Sequence, residues 1–563
     1  MDRWEFSKYR SGELVNGIER AAHRALLYST GMDKEDFKKP LIAVVNSFTE
    51  MVPGHIHLRE LAEYVKLGIS EAGGIPREFD TIALCDGLCQ GHIGMSYPLP
   101  SREIIADSIE MMVEGHRLDG MVMLPGCDKI VPAMLMAAAR LDIPAIIIPA
   151  GPMIAGNYKD IRDITLSSMR ELIGQTQVGK LTEEDLEQAE MKALPTFGTC
   201  SMMGTANSMG CLVEVLGMSL PKAGTALAVS SEKRRIAKQS GRRVVEMINE
   251  GVNARQILTK KSILNGIAAT MAMGASTNTV LHLMAIANEA DVELSLKDFD
   301  EISRKIPYLC SIKPSGAYTL SDFHEAGGVQ AVLKAIEDEL YGDCLTVNGK
   351  TVTENLKTTE LVENEVILSR SNPKDVDGGI AVLFGNLAPN GAVVKKSGVK
   401  KSMYYFKGRA RIFNSMEDAS AAVSGDEIKT GDVIVIRYEG PKGGPGMREM
   451  HMTTSLLVGR GMDESCALIT DGRFSGSTRG PCIGHISPEA AAGGPIAALE
   501  EGDIITIDIP NRSLTVDLSD EEIARRLEKI EHIFKDRTPA LAKYAALVTS
   551  ADKGAILRLP NQS

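Results

Sequence analysis

The chain has 563 residues, 44% apolar and 24% charged, with a formal net charge of −12. That length points to several domains, or to fewer large ones, and the composition is that of a globular protein. The acidic balance argues against a nucleic-acid or anionic-membrane surface, either of which would want a basic stripe; anionic small substrates stay open, because a local metal ion can outweigh the global charge.

The opening residues Met1–Phe6 show no basic-then-apolar signal pattern, so a cytoplasmic chain is expected. Ser262–Asn288 carries no charge and is long enough to cross a bilayer. Its Asn265, Thr270, Ser276 and Asn278, with glycines at 266 and 274, predict a buried helix with a Gly274–Asn278 turn instead of a span. Nine cysteines are scattered without a CxxC pair, which fits neither a disulfide framework nor a zinc ribbon. Buried inert thiols are the default for most of them.

Taken in order, Leu41–Val45 is a short apolar run, followed by Asn46–Thr49 and a helix from about Leu58 to Ala72. Thr81–Leu84 is a second run, ending at Cys85-Asp86-Gly87; Gly120–Leu124 is a third and Pro144–Ile148 a fourth. Helical patterns separate them, and the alternation predicts an α/β fold with a parallel sheet covered on both faces. Asp86 and Cys127-Asp128 then fall just past the carboxyl ends of strands, where such sheets bind ligands. Cys127, Asp128 and Lys129 lie between a buried strand and a helix for which Pro132 suits the first position. A sulfur ligand, an oxygen ligand and an amine sit there side by side; a surface turn with an incidental cysteine is the other reading.

From Arg162 to about Leu340 the pattern is mostly helical. Cys200 occupies a second glycine-flanked turn before a helix, and Ser231–Gly251 is an amphipathic helix ending at a glycine. Val362–Gly379 reads as a linker region. Beyond it, Ile380–Phe384, Ala392–Lys396, Arg409–Phe413, Asp432–Arg437, Ala467–Ile469 and Ile504–Ile509 are short strand-like runs. They predict a β-barrel or sandwich-like second domain. Two domains follow, residues 1–368 and 369–563, with Asp520–Lys535 as a surface helix.

Two loops of the second domain stand out. Residues 441–446 contain five glycines or prolines in six positions, so Tyr438–Met450 is neither helix nor central strand. Such a loop is either mobile or lets backbone and Glu449 approach a ligand closely. Ser475, in Thr470-Asp471-Gly472-Arg473-Phe474-Ser475-Gly476, is either a turn former or a reactive hydroxyl, with no histidine beside it in sequence.

Cys127-Asp128-Lys129-Ile130-Val131-Pro132-Ala133 and Ala467–Gly476 resemble the two signatures of the dihydroxy-acid and phosphogluconate dehydratase family. Asn46-Ser47, Val52–His55, Leu99–Glu103, Gly198-Thr199-Cys200, Gly274–Asn278 and Lys313–Gly316 agree, so the likeness runs from about residue 10 to about 555. It implies an iron-sulfur cluster on Cys127 and Cys200, and Mg2+ on Asp86, Asp128 and Glu449. Lys129 would join the Mg2+ ligands as a carbamate, which removes the repulsion of an ammonium. Ser475, as alkoxide, would take the proton from C2 of the substrate. The implied reaction is loss of water from a small 2,3-dihydroxy carboxylate to give a 2-oxo acid, in a homodimer with its site between the domains. Within the family the likeness is to the branch that acts on 2,3-dihydroxy-3-methylbutanoate and 2,3-dihydroxy-3-methylpentanoate in valine and isoleucine biosynthesis.

Many relatives carry a cysteine where this chain has Gly54, and two thiolates under-supply a 2Fe-2S or a 4Fe-4S cluster. The 2Fe-2S form is expected ahead of the other. Cys85 is the first candidate for a third ligand, with His55 and Cys89 behind it. Cys85-Asp86-Gly87 resembles the phosphogluconate enzyme at that spot, so a sugar-acid dehydratase, acting on an aldonate or 6-phosphogluconate, is the alternative. A non-catalytic iron-binding sensor is a third reading, against which Glu449 and Ser475 speak.

Overall fold

Strand β1 (Leu41–Asn46) is apolar throughout and buried at every position, which places it inside a sheet covered on both faces. It pairs in parallel with β2 (Ile75–Asp80) and β3 (Gly120–Leu124), and β3 pairs in parallel with β4 (Ala145–Ile147), giving the order β2-β1-β3-β4. This computed structural model describes residues 3–559, except 178, 362, 363, 477, 531, 532, 534 and 536.

The parallel α/β sheet is as expected, with one correction. The second strand is Ile75–Asp80, and Thr81–Leu84 belongs to the loop beyond it. As an edge strand, β2 is half exposed and carries Arg77, Glu78 and Asp80, so it leaves no apolar run to read. Asp86 accordingly lies six positions past the strand end, at the start of a one-turn helix, Asp86–Cys89. The helix after β3 runs Ile130–Leu141, which puts Pro132 at its third position and not its first. A proline is tolerated there because first-turn N–H groups have no partner within the helix.

Helices Leu58–Glu71 and Ser231–Glu250 pack against each other over the sheet. They approach closely at two glycines: a Cβ on Gly68 would stand 2.0 Å from the Lys238 carbonyl, and one on Gly241 2.2 Å from that of Val65. Ser262–Asn288 forms two buried helices, Lys260–Met273 and Asn278–Glu289, separated at Gly274 (φ +61). Among the described residues no helix is long and apolar enough to cross a membrane.

Two further strands, β5 (Gly156–Tyr158) and β6 (Ile161–Ile164), form a small hairpin. The C-terminal part holds β7 (Ala381–Gly385), β8 (Ala388–Val394), β9 (Tyr405–Phe413), β10 (Asp432–Ile436), β11 (Ala467–Thr470), β12 (Cys482–Ser487), β13 (Ile504–Asp508) and β14 (Ser513–Val516). They close into a barrel in the order β10-β11-β12-β8-β7-β14-β13-β9. The expected barrel is therefore present, with β12 and β14 added to the six strands legible in sequence. Strand β12 escapes a sequence reading because Gly484 and His485, the latter at φ +58, interrupt its apolar pattern. The C-terminal surface helix ends at Leu527, short of Lys535, and part of the remaining stretch lies outside the described residues. Ile380, Val382 and Val393 join the N-terminal core, so the two parts share apolar packing.

Candidate active site

The loops that leave the carboxyl ends of β1, β2 and β3 meet two loops that leave the carboxyl ends of the parallel barrel strands β10 and β11. At the first set, Gly126 gives the turn after β3 its shape: a Cβ there would stand 2.5 Å from His55 Nε2. The Cys127 N–H donates to that nitrogen at 2.8 Å, and His55 Nδ1–H donates to the Ser47 carbonyl at 2.7 Å. Both ring nitrogens are thereby used. His55 shapes the cysteine turn, and its ring has no lone pair left for iron.

The barrel loops are tied to each other at their bases. Asp471 accepts hydrogen bonds from the N–H groups of Tyr438 and Glu439, and Glu489 accepts from those of Lys442 and Gly443. Gly446 (φ +86) lies on the Ser96 carbonyl so closely that a Cβ would stand 2.1 Å from it. The glycine- and proline-rich loop is thus a packed element carrying Glu449 into the N-terminal part, which decides between the two readings of that stretch.

The outcome is a trio of carboxylates. One oxygen each from Asp86, Asp128 and Glu449 lie within 4.8 Å of one another. Asp86 Oδ2 accepts from Lys129 Nζ at 2.8 Å and from Arg473 Nη2 at 3.1 Å. Arg473 Nη1 also donates to Glu449 Oε1 at 2.6 Å, and Gln90 Nε2 donates to Glu449 Oε2 at 2.6 Å. Lys129 and Arg473 are completely buried, and the Asp86 and Glu449 side chains nearly so. Burial alone would push the Asp86 carboxyl up, but Lys129 and Arg473 hold it below its ordinary value. Asp128 goes the other way, pushed up to about 7 by burial and by the Asp86 charge.

The three carboxylates sit among cations, Lys129 and Arg473 paired with them and Arg170 in electrostatic reach of Glu449. Asp86 Oδ1 is buried and has no hydrogen-bond partner. A set of hard oxygen donors with an orphaned acceptor fits a divalent cation.

The thiols gather beside this trio. Those of Cys85 and Cys127 lie close enough to shift each other's titration in opposite directions, Cys85 down and Cys127 up, and Cys200 is in electrostatic reach of both. Burial, with Cys85 adding to it, raises the Cys200 thiol to about 12. A Cβ built on Gly54 would stand 3.3 Å from Cys127 Sγ, so position 54 does face this cluster of sulfurs. Cys89 is the outlier: its electrostatic neighbours are Asp86, Cys85 and Arg473.

Ser475 is half-buried in the loop after β11, in the same segment as Arg473. Sequence reading missed Arg473, Gln90 and Asn278 as parts of the site. Arg473 was in view as a letter of the motif, but nothing local marks a side chain that will bridge Asp86 and Glu449. Asn278 accepts from Arg473 Nη1 at 3.1 Å.

Residues 39–355 match the model of the dihydroxy-acid/6-phosphogluconate dehydratase N-terminal region, and residues 365–555 that of the C-terminal region. A protein of Thermodesulfovibrio yellowstonii named dihydroxy-acid dehydratase is 52% identical over 555 residues, covering 97% of this chain and all of its own. Proteins of the same name from Methanobrevibacter smithii (50% identical, 98% of this chain and 100% of that one) and Acetivibrio thermocellus (52%, 97% and 99%) are similar over their full length. With both halves matched and relatives aligned end to end, the chain belongs to the dihydroxy-acid/6-phosphogluconate dehydratase family.

Proposed function

We propose that this hydro-lyase is a dihydroxy-acid dehydratase, removing water from 2,3-dihydroxy-3-methylbutanoate and 2,3-dihydroxy-3-methylpentanoate to give the 2-oxo acids of valine and isoleucine biosynthesis. The observation that carries the reading is the convergence of Asp86, Asp128 and Glu449 from both halves of the chain beside the Cys85, Cys127 and Cys200 thiols. The shared name of the three relatives favours the branched dihydroxy acid over an aldonate.

In this reading Asp86, Asp128 and Glu449 hold Mg2+, with Lys129 joining them as a carbamate. Cys127 and Cys200, with Cys85 as third ligand, hold an iron-sulfur cluster, the 2Fe-2S form ahead of 4Fe-4S. When bound, the two groups would supply Lewis acidity to the loss of the hydroxyl and to the charge that develops on the acid.

The protein's own part is proton transfer and placement. Ser475 accepts the C2 proton; the C–H electron pair forms the C2–C3 double bond as the C3–O bond breaks, and hydroxide leaves as water on taking up a proton. The proton the hydroxide takes up is the one Ser475 accepted, which restores the serine, and the enol then moves its hydroxyl proton to C3 and becomes the ketone. Carbon oxidation is redistributed within one molecule, so no electron acceptor is consumed. Arg473 offsets the charge of Asp86 and Glu449 and keeps both in register.

The molecule works as a cytoplasmic homodimer on this reading.

Turnover of 2,3-dihydroxy-3-methylbutanoate measured against a panel of aldonates tests the assignment. The branched acid should have the higher kcat/KM; preference for an aldonate by ~100-fold, about 2.7 kcal/mol of transition-state binding, overturns it.

A further inference from the structure

The turn that carries Ser475 is gripped through three successive carbonyls. That of Phe474 accepts from Asn278 Nδ2 at 3.0 Å, that of Ser475 from the Thr478 N–H at 3.1 Å, and that of Gly476 from Lys395 Nζ at 2.7 Å. The middle bond is local. The outer two come from distant parts of the chain: Asn278 opens helix Asn278–Glu289, and Lys395 directly follows β8. Gly476 has little room to slide, because a Cβ there would stand 3.0 Å from Gly204 Cα and 3.3 Å from Ser276 Cβ.

Lys395 is an uneconomical residue for packing alone. It is buried, and among the described residues no carboxylate lies within salt-bridge distance of it. Its neighbour Lys396 is satisfied by Asp375 at 3.0 Å and Asp377 at 3.2 Å. An ammonium taken out of water with, among the described residues, one carbonyl as its partner is costly, and burial pushes its pKa down to about 7. Methionine would fill a similar volume without that penalty. Asn278, for its part, also accepts from Arg473 at 3.1 Å, so it links the turn to the guanidinium that holds Asp86 and Glu449.

We propose that Lys395 and Asn278 are positioning residues for Ser475: they hold the carbonyls of the residues on either side of it, Phe474 and Gly476, and so set its hydroxyl in register with the carboxylate trio. This rests on the reading of Ser475 as the base. Preorganisation of this kind is worth much, since a displacement of about 1 Å at a reacting group can cost about 100-fold in rate.

The test uses anaerobically purified holoenzyme carrying Lys395→Met, Lys395→Gln, Asn278→Leu or Ser475→Ala, each assayed for kcat, KM, iron and magnesium content and thermal midpoint. Lys395→Met should lower kcat about 100-fold with KM within threefold, metal content unchanged and the thermal midpoint not reduced. Lys395→Gln, which keeps an N–H donor, should recover at least tenfold over the methionine variant, and Asn278→Leu should lose kcat in the same manner. A methionine variant with kcat within threefold of wild type overturns the proposal. So does a methionine variant that fails to fold beside a fully active glutamine variant, which would make Lys395 a folding residue. Retained turnover in Ser475→Ala instead removes the base itself, an outcome distinct from a dead Ser475→Ala beside an active Lys395→Met.

Discussion

Arg473 Nη2 stands 3.1 Å from Asp86 Oδ2 across 387 residues of sequence, and the other arm of the same guanidinium holds Glu449 Oε1 at 2.6 Å. One fully buried side chain therefore aligns a carboxylate of the N-terminal part with one of the C-terminal part. Assembly of the site and contact between the two parts become the same event.

That bridge makes the cation balance testable. Arg473→Met takes away the guanidinium that bridges Asp86 and Glu449, and removing one member of a buried ion pair typically costs ~3–5 kcal/mol. In chelator, the variant should be less stable than wild type by about 3 kcal/mol in denaturant unfolding. Millimolar Mg2+ should return part of that loss, as any ligand bound only by the folded state does. Equal stability of the two proteins in chelator would show that Arg473 is not the counter-ion of this trio.

Ser475→Ala removes one hydroxyl from a turn whose backbone is otherwise tied. Folding, iron content and visible absorption should be unchanged, while kcat falls by at least ~100-fold, the low end of what a positioned base contributes. Turnover within tenfold of wild type would assign the C2 proton to another group.

The sulfur ligands give a paired experiment. Cys127→Ser and Cys200→Ser should each lose iron. Cys85→Ser should lose it as well if the thiol beside Cys127 completes the set, and Gly54→Cys placed in that background should restore it, because position 54 faces Cys127 Sγ from 3.3 Å. Iron and sulfide quantification with Mössbauer spectra reads each case. Full iron in Cys85→Ser would leave the third ligand elsewhere.

His57 gives a pH signature from a buried histidine that holds no hydrogen bond to the carboxylate trio. It donates from Nε2 to the Ala150 carbonyl at 3.0 Å and stacks on Phe197 with ring centroids 4.8 Å apart. Burial lowers its pKa from 6.5 to about 4. The folded state thus binds the proton more weakly than the unfolded chain, so this stability is present above pH 6.5 and is lost as pH falls toward 4. By pH 5 the loss amounts to about 2 kcal/mol. His57→Phe should be about 1 kcal/mol less stable than wild type at pH 8, from the lost hydrogen bond. At pH 5 it should be equal or more stable; parallel pH profiles for the two proteins would contradict the assignment.

Much of this site was legible in one dimension because ligands cluster where chemistry demands residues of one type close together. Cys127, Asp128 and Lys129 are consecutive, and the Gly120–Leu124 strand before them is apolar at every position, as a doubly covered strand must be. Such local patterns follow from burial and backbone periodicity, which each segment carries in its own letters. Edge strand β2 shows the limit: half its face is solvated, its letters are mixed, and its position was misread by several residues.

What the linear chain determined, then, is which residues had the chemistry: soft thiols, hard carboxylates, a serine in a glycine-bound turn. What only the tertiary structure decided is which of them meet, and which silent neighbours hold them. Arg473, Asn278 and Lys395 carry no local mark, because their partners lie on segments far along the chain. Long-range electrostatic and hydrogen-bond partners are chosen by packing of whole elements, and that choice exists only once the sheet and the barrel have closed on each other.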